Sequence, residues 1–69
     1  MGHEQHDPQR VTIDDWTVTL TRDHGQWTGT AHNWLDDEAE DGPTPEIVLT
    51  RLADVMGLPP QELLDAFGL

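Results

Sequence analysis

Chemical potential in this chain is concentrated in one short run, WLDDEAED, where Trp34 precedes Asp36, Asp37, Glu38, Glu40 and Asp41. Carboxylates this dense suit three kinds of work: holding a hard cation, exchanging protons with a substrate, or displaying charge to a cationic partner. A calcium loop needs oxygen ligands at alternating positions, a central glycine and a distal bidentate glutamate. The run lacks that pattern, so no metal is expected there. Acid–base catalysis needs carboxylates gathered in a pocket, and 69 residues leave little room for one of several hundred Å³. Charge display remains. Tryptophan is enriched among the residues that dominate binding interfaces, and an apolar anchor ringed by acids suits a basic protein groove. Trp34, Asp36, Asp37, Glu38, Glu40 and Asp41 are therefore the candidate partner-binding residues.

The histidines offer less. His3 and His6 stand three apart in HEQH, His24 falls in a turn sequence, and His32 falls at a strand end. Structural zinc sites usually recruit cysteine or further histidine at set spacings, and the chain has no cysteine. It has no serine either, so a serine or cysteine nucleophile is excluded. The expectation is a non-enzymatic protein with no cofactor and no metal.

Composition points the same way. The net charge is -11, from 14 acids against three arginines and no lysine. That balance disfavours direct nucleic-acid binding through phosphate neutralisation and disfavours association with anionic membranes. It favours a basic partner, or solubility through self-repulsion. A GC-rich or salt-adapted proteome would also produce this acidity together with the missing Lys, Cys, Tyr and Ser. No apolar run approaches the roughly 20 residues of a membrane span, and MGHEQHDPQR lacks the apolar core of a secretory signal. A cytoplasmic location is expected.

The elements that must position these residues follow from the pattern. Residues 1–10 are polar and aperiodic and are read as a flexible tail, with 11–69 as one small domain. WTVTLTR and WTGTAHNW each alternate apolar or small residues with threonine, and DHGQ between them is a turn signal. They predict a β-hairpin over about 16–22 and 27–33, with an additional short strand at 11–13. If His24-Gly25 is the loop, Leu20 faces Gly29, Val18 faces Ala31 and Arg22 faces Trp27. Residues 35–45, LDDEAEDGPTP, read as an acidic surface loop with a Gly-Pro stop. Thr44-Pro45-Glu46 then opens a helix over about 45–56. Gly57 closes it, and Pro60 starts a second helix over about 60–67. Helices covering one face of a small antiparallel sheet make an α+β domain. The expected core is Trp16, Val18, Leu20, Trp27, Leu49, Leu52, Met56, Leu63 and Phe67.

The stretch from Leu49 to Gly68 resembles the helix-turn-helix signature of Cro/Xre-like repressors. In that family an alanine precedes the turn glycine by four residues, as Ala53 precedes Gly57, and apolar residues surround them as at Leu52, Met56, Leu58 and Leu63. The resemblance implies a second helix that reads base edges. Here that helix carries Pro59, Pro60, Gln61, Leu64 and Asp65; only Gln61 suits a base, and Glu62 and Asp65 repel phosphate. Small residues at a tight corner also have a geometric use, because alanine lets helices approach and glycine permits positive φ.

The combined expectation is a small acidic binding protein, regulatory or inhibitory, that engages a basic protein surface. Nucleic-acid mimics and phage-type host factors share this size and charge, an analogy of composition only. Two alternatives stand beside it: a helix-turn-helix-like DNA-binding regulator, and a structural or assembly protein that acts as a homodimer or larger homo-oligomer, for instance by pairing sheet edges at Val11 to Ile13.

Overall fold

In a computed structural model of the chain, residues 9–69 are described. The expected tail, apart from Gln9 and Arg10, lies outside them, as do His3 and His6. Strands β1 (Gln9–Ile13), β2 (Trp16–Asp23), β3 (Gln26–His32) and β4 (Asp37–Gly42) precede helices α1 (Pro45–Met56) and α2 (Pro60–Ala66). The strands form one antiparallel sheet in the order β1-β2-β3-β4, and the fold is α+β. Strand β1 starts two residues before the boundary drawn from polarity. Gln9 and Arg10 pair with Leu20 and Thr19, because backbone groups alongside a strand gain partners whatever their side chains.

The β2–β3 hairpin turns on His24 and Gly25, with φ of 54° and 77°. Positive φ at both central residues is the signature of a type I′ turn, whose twist matches that of the flanking strands. The register follows from the turn: Arg22 opposite Trp27, Leu20 opposite Gly29 and Val18 opposite Ala31, as the alternation predicts. Thr19 and Thr21 oppose Thr30 and Thr28 on the uncovered face.

The covered face meets the helices at Gly29. A Cβ there would lie 2.7 Å from Val48 Cγ1 and 2.8 Å from Leu52 Cδ1, so the absence of a side chain lets α1 sit low on the sheet. Trp16, Val18, Leu20 and Ala31 of the sheet pack with Val48, Leu49, Leu52, Ala53 and Met56 of α1 and Leu63 of α2. Trp27 and Phe67, expected inside, lie partly buried at the margin of this core. Trp27 sits near the far end of the sheet, opposite Gly42, with the Arg22 guanidinium 5.8 Å from its ring centroid. Phe67 follows the last residue of α2.

Local chemistry sets the bounds of α1. Thr44 Oγ1 accepts the Ile47 N–H at 3.2 Å, and Pro45 occupies the first helical position. At the other end Gly57 takes φ 79°. Leu58 N–H donates to Ala53 C=O at 2.9 Å and Gly57 N–H to Asp54 C=O at 3.3 Å. These are the two bonds of a Schellman motif. The motif turns the chain so that α2 folds back and buries Leu63.

Candidate functional site

The main correction concerns the acidic run, expected as a surface loop. Residues 37–42 form strand β4, paired with β3 from His32 opposite Asp37 to Trp27 opposite Gly42. Asp and Glu are poor strand formers, which is why side-chain preference points to a loop. Pairing wins because β3 has a second edge whose backbone groups need partners, and because the connecting turn closes locally. Asn33 Oδ1 accepts the N–H of Leu35 at 2.8 Å and of Asp36 at 2.7 Å. Asn33 N–H donates to Asp36 C=O at 3.0 Å. An asparagine side chain used this way mimics a backbone turn and reverses the chain.

As a strand, the run disperses the six candidate residues. Glu38 and Glu40 oppose Ala31 and Gly29, which puts them on the helix-covered side, half-buried. Asp37, Ala39 and Asp41 alternate onto the uncovered face and are exposed. At about 3.4 Å per residue, Asp41 stands about 17 Å along the chain from Asp36. The set therefore divides into a tip, with Trp34, Asp36 and Asp37, and an edge, with Glu38, Glu40 and Asp41.

The tip is the more distinctive part. Trp34 is 80% exposed and its neighbour Leu35 is 68% exposed, the highest values among the described large hydrophobic residues. Trp16, by contrast, is in the core and Trp27 at its margin. Leu35 is not among the candidate residues that the sequence pattern singles out, yet it shares the exposure of Trp34. Its signal was its position: an apolar residue inside a two-residue turn has no core within reach.

A second turn shares this end of the sheet. Thr17 opposes His32, so Trp16 is level with Asn33. Ile13 opposes Trp16 across the other hairpin. Both hairpins thus leave the sheet at the same level, two strand spacings or roughly 10 Å apart. The β1–β2 turn is Asp14-Asp15, with Asp14 at φ 56°, a conformation that aspartate tolerates better than most residues. Asp14, Asp15, Asp36 and Asp37 are all exposed. The three arginines lie elsewhere. Arg10 is three residues back from Ile13 along β1, Arg22 covers Trp27, and Arg51 Nη1 donates to Asp41 C=O at 3.0 Å. Among the described residues the one close approach of a histidine or arginine side chain to a carboxylate, His24 Nδ1 to Asp23 Oδ1 at 3.4 Å, is exposed and lies at the opposite end. No carboxylate of the tip is neutralised by a described arginine.

Other features offer less chemistry. Among the described residues no three His, Asp or Glu side chains gather as metal ligands. One open depression of about 250 Å³ is lined by Glu46, Ile47, Thr50 and Arg51. Another of about 190 Å³ is lined by Thr28, Ala39, Glu40 and Asp41. At the helical corner Ala53 and Leu63 are buried, and Gln61 Nε2 donates to Asp65 Oδ1 at 2.9 Å. Among the described residues no helix is long and apolar enough to cross a membrane. No protein-family model matches the chain, and no match is found among curated proteins or solved structures.

Proposed function

We propose that the protein is a small acidic binding protein without enzymatic activity, which engages a basic surface of a partner protein through Trp34 and the neighbouring carboxylates. The observation that carries this reading is Trp34 itself, 80% exposed on a turn closed by Asn33. A covered tryptophan removes roughly 150–250 Å² from water, which at ~25 cal/mol per Å² is about 4–6 kcal/mol that this fold leaves unused. A partner groove would recover part of it. The acids have a different job. With a net charge of -11 they steer a basic partner over distances of the order of the Debye length, raising association rates more than final affinity.

Occupying a basic site without doing chemistry there is an inhibitory or regulatory act. A site that otherwise holds nucleic acid is one target of this kind. The helical corner serves the fold in this reading, since its small and apolar residues line the core and the Gln61 amide is engaged by Asp65.

The test compares the wild type, Trp34→Ala and the five-acid variant D36N/D37N/E38Q/E40Q/D41N as baits in extract of the native host at low salt. The expected result is a basic protein that elutes as salt rises and is lost from both variants. A partner retained equally by both variants would overturn the proposal. A gel shift of duplex DNA at micromolar protein would favour the helix-turn-helix alternative. A stable dimer in light scattering would favour pairing through β1.

A further inference from the structure

The strand pairing separates the tip from the edge, and the two differ as recognition surfaces. We infer that recognition occurs at the turn-bearing end of the sheet, where Trp34 and Leu35 stand between Asp14-Asp15 and Asp36-Asp37, and that the partner is a protein with an apolar cleft rimmed by arginine or lysine. This rests on the binding function proposed above and moves its site away from Glu38, Glu40 and Asp41.

Shape comes first. Trp34 and Leu35 are adjacent, both largely exposed, and carried on a protruding turn, so their complement is concave. Rigidity comes second. The two side-chain-to-backbone bonds of Asn33, at 2.8 and 2.7 Å, favour this turn conformation in the free protein, which reduces the ordering cost of binding. Charge comes third. Asp14, Asp15, Asp36 and Asp37 are exposed, and the arginines lie along or beyond the middle of the sheet. A rim of cationic side chains around an apolar floor complements that pattern. Phosphate-bearing partners, whether nucleic acid or anionic lipid, do not, and a second copy with the same net charge of -11 is repelled. Glu38 and Glu40 lie on the helix side, half-buried, and contribute to the field rather than to contact.

Isotope-labelled full-length protein is titrated, at low salt, with two synthetic peptides of equal charge, one alternating Arg with Leu and one alternating Arg with Gly. Amide shifts should concentrate at residues 13–16 and 32–37, and the Arg–Leu peptide should bind about tenfold tighter, as expected of a probe that covers an anchor residue. W34A/L35A should remove that difference. D14N/D15N should weaken both peptides about threefold, and E38Q/E40Q should stay within about twofold of wild type, as rim and distant charges differ. Asn33→Ala keeps every contacting side chain and should still weaken the Arg–Leu peptide about threefold through loss of preorganisation. Shifts centred on residues 38–41 would overturn the end-of-sheet site while leaving a basic-partner function standing. No shift with either peptide would overturn both.

Discussion

Replacing Gly29 with alanine asks how closely α1 is seated on the sheet. The added Cβ would stand 2.7 Å from Val48 Cγ1 and 2.8 Å from Leu52 Cδ1, where an ordinary carbon contact is about 3.5–4.0 Å. The shortfall is close to 1 Å on both sides. Val48 is β-branched and has little χ1 freedom in a helix, and both side chains are fully buried. The helix must lift or the side chains must leave their rotamers. Overpacking of this kind costs about 1–3 kcal/mol, against which alanine recovers about 0.4–1 kcal/mol by restricting the unfolded chain. The expected net loss is about 1–2 kcal/mol, a fall in Tm of roughly 5–15 °C for a domain this small. Thermal and urea unfolding, followed by tryptophan fluorescence and circular dichroism, measures it, with an osmolyte present to keep weak variants on scale. The decisive arm adds Val48→Ala. Alone, that truncation should cost roughly 1.5–3 kcal/mol; with Gly29→Ala it removes one of the two overlaps and gives Leu52 space to shift from the other, so the double variant should lose about 1 kcal/mol less than the sum. Additive losses, or a Gly29→Ala protein at least as stable as wild type, would refute the close seating of α1.

Gly57→Ala has no atom within 4 Å to meet but must hold φ 79°, so it should cost about 1–2 kcal/mol from conformation alone and add independently to Val48→Ala in the same melts. Thr44→Ala removes the acceptor of the Ile47 N–H and should lower stability by about 1 kcal/mol, while Thr44→Ser stays near wild type. Raising salt should increase Tm, because screening relieves repulsion among 14 acids held by only three arginines; D37N/E38Q/E40Q/D41N should show a smaller salt response in calorimetry. Asn33→Ala should speed hydrogen exchange at the Leu35 and Asp36 amides, whose acceptor it removes, and leave exchange in β1 and β2 unchanged.

What the chain reveals on its own is local or compositional. The β2–β3 register was legible because His24-Gly25 sets a two-residue turn and the strand alternation agrees with it. The bounds of α1 were legible because Thr44, Pro45 and Gly57 act on backbone groups a few positions away. Net charge and the presence of a tryptophan beside acids need no fold at all. Strand β4 was not legible, since its side chains disfavour a strand and the decision belongs to the unsatisfied edge of β3. The grouping of the candidate residues changed for the same reason. Adjacency in sequence grouped Trp34 with Asp41, whereas strand pairing sets Trp34 and Leu35 level with Asp14 and Asp15, about 20 positions earlier in the chain, and carries Asp41 away. Which carboxylates stand beside the exposed tryptophan is decided by backbone hydrogen bonds between distant segments, and those are formed only in the assembled sheet.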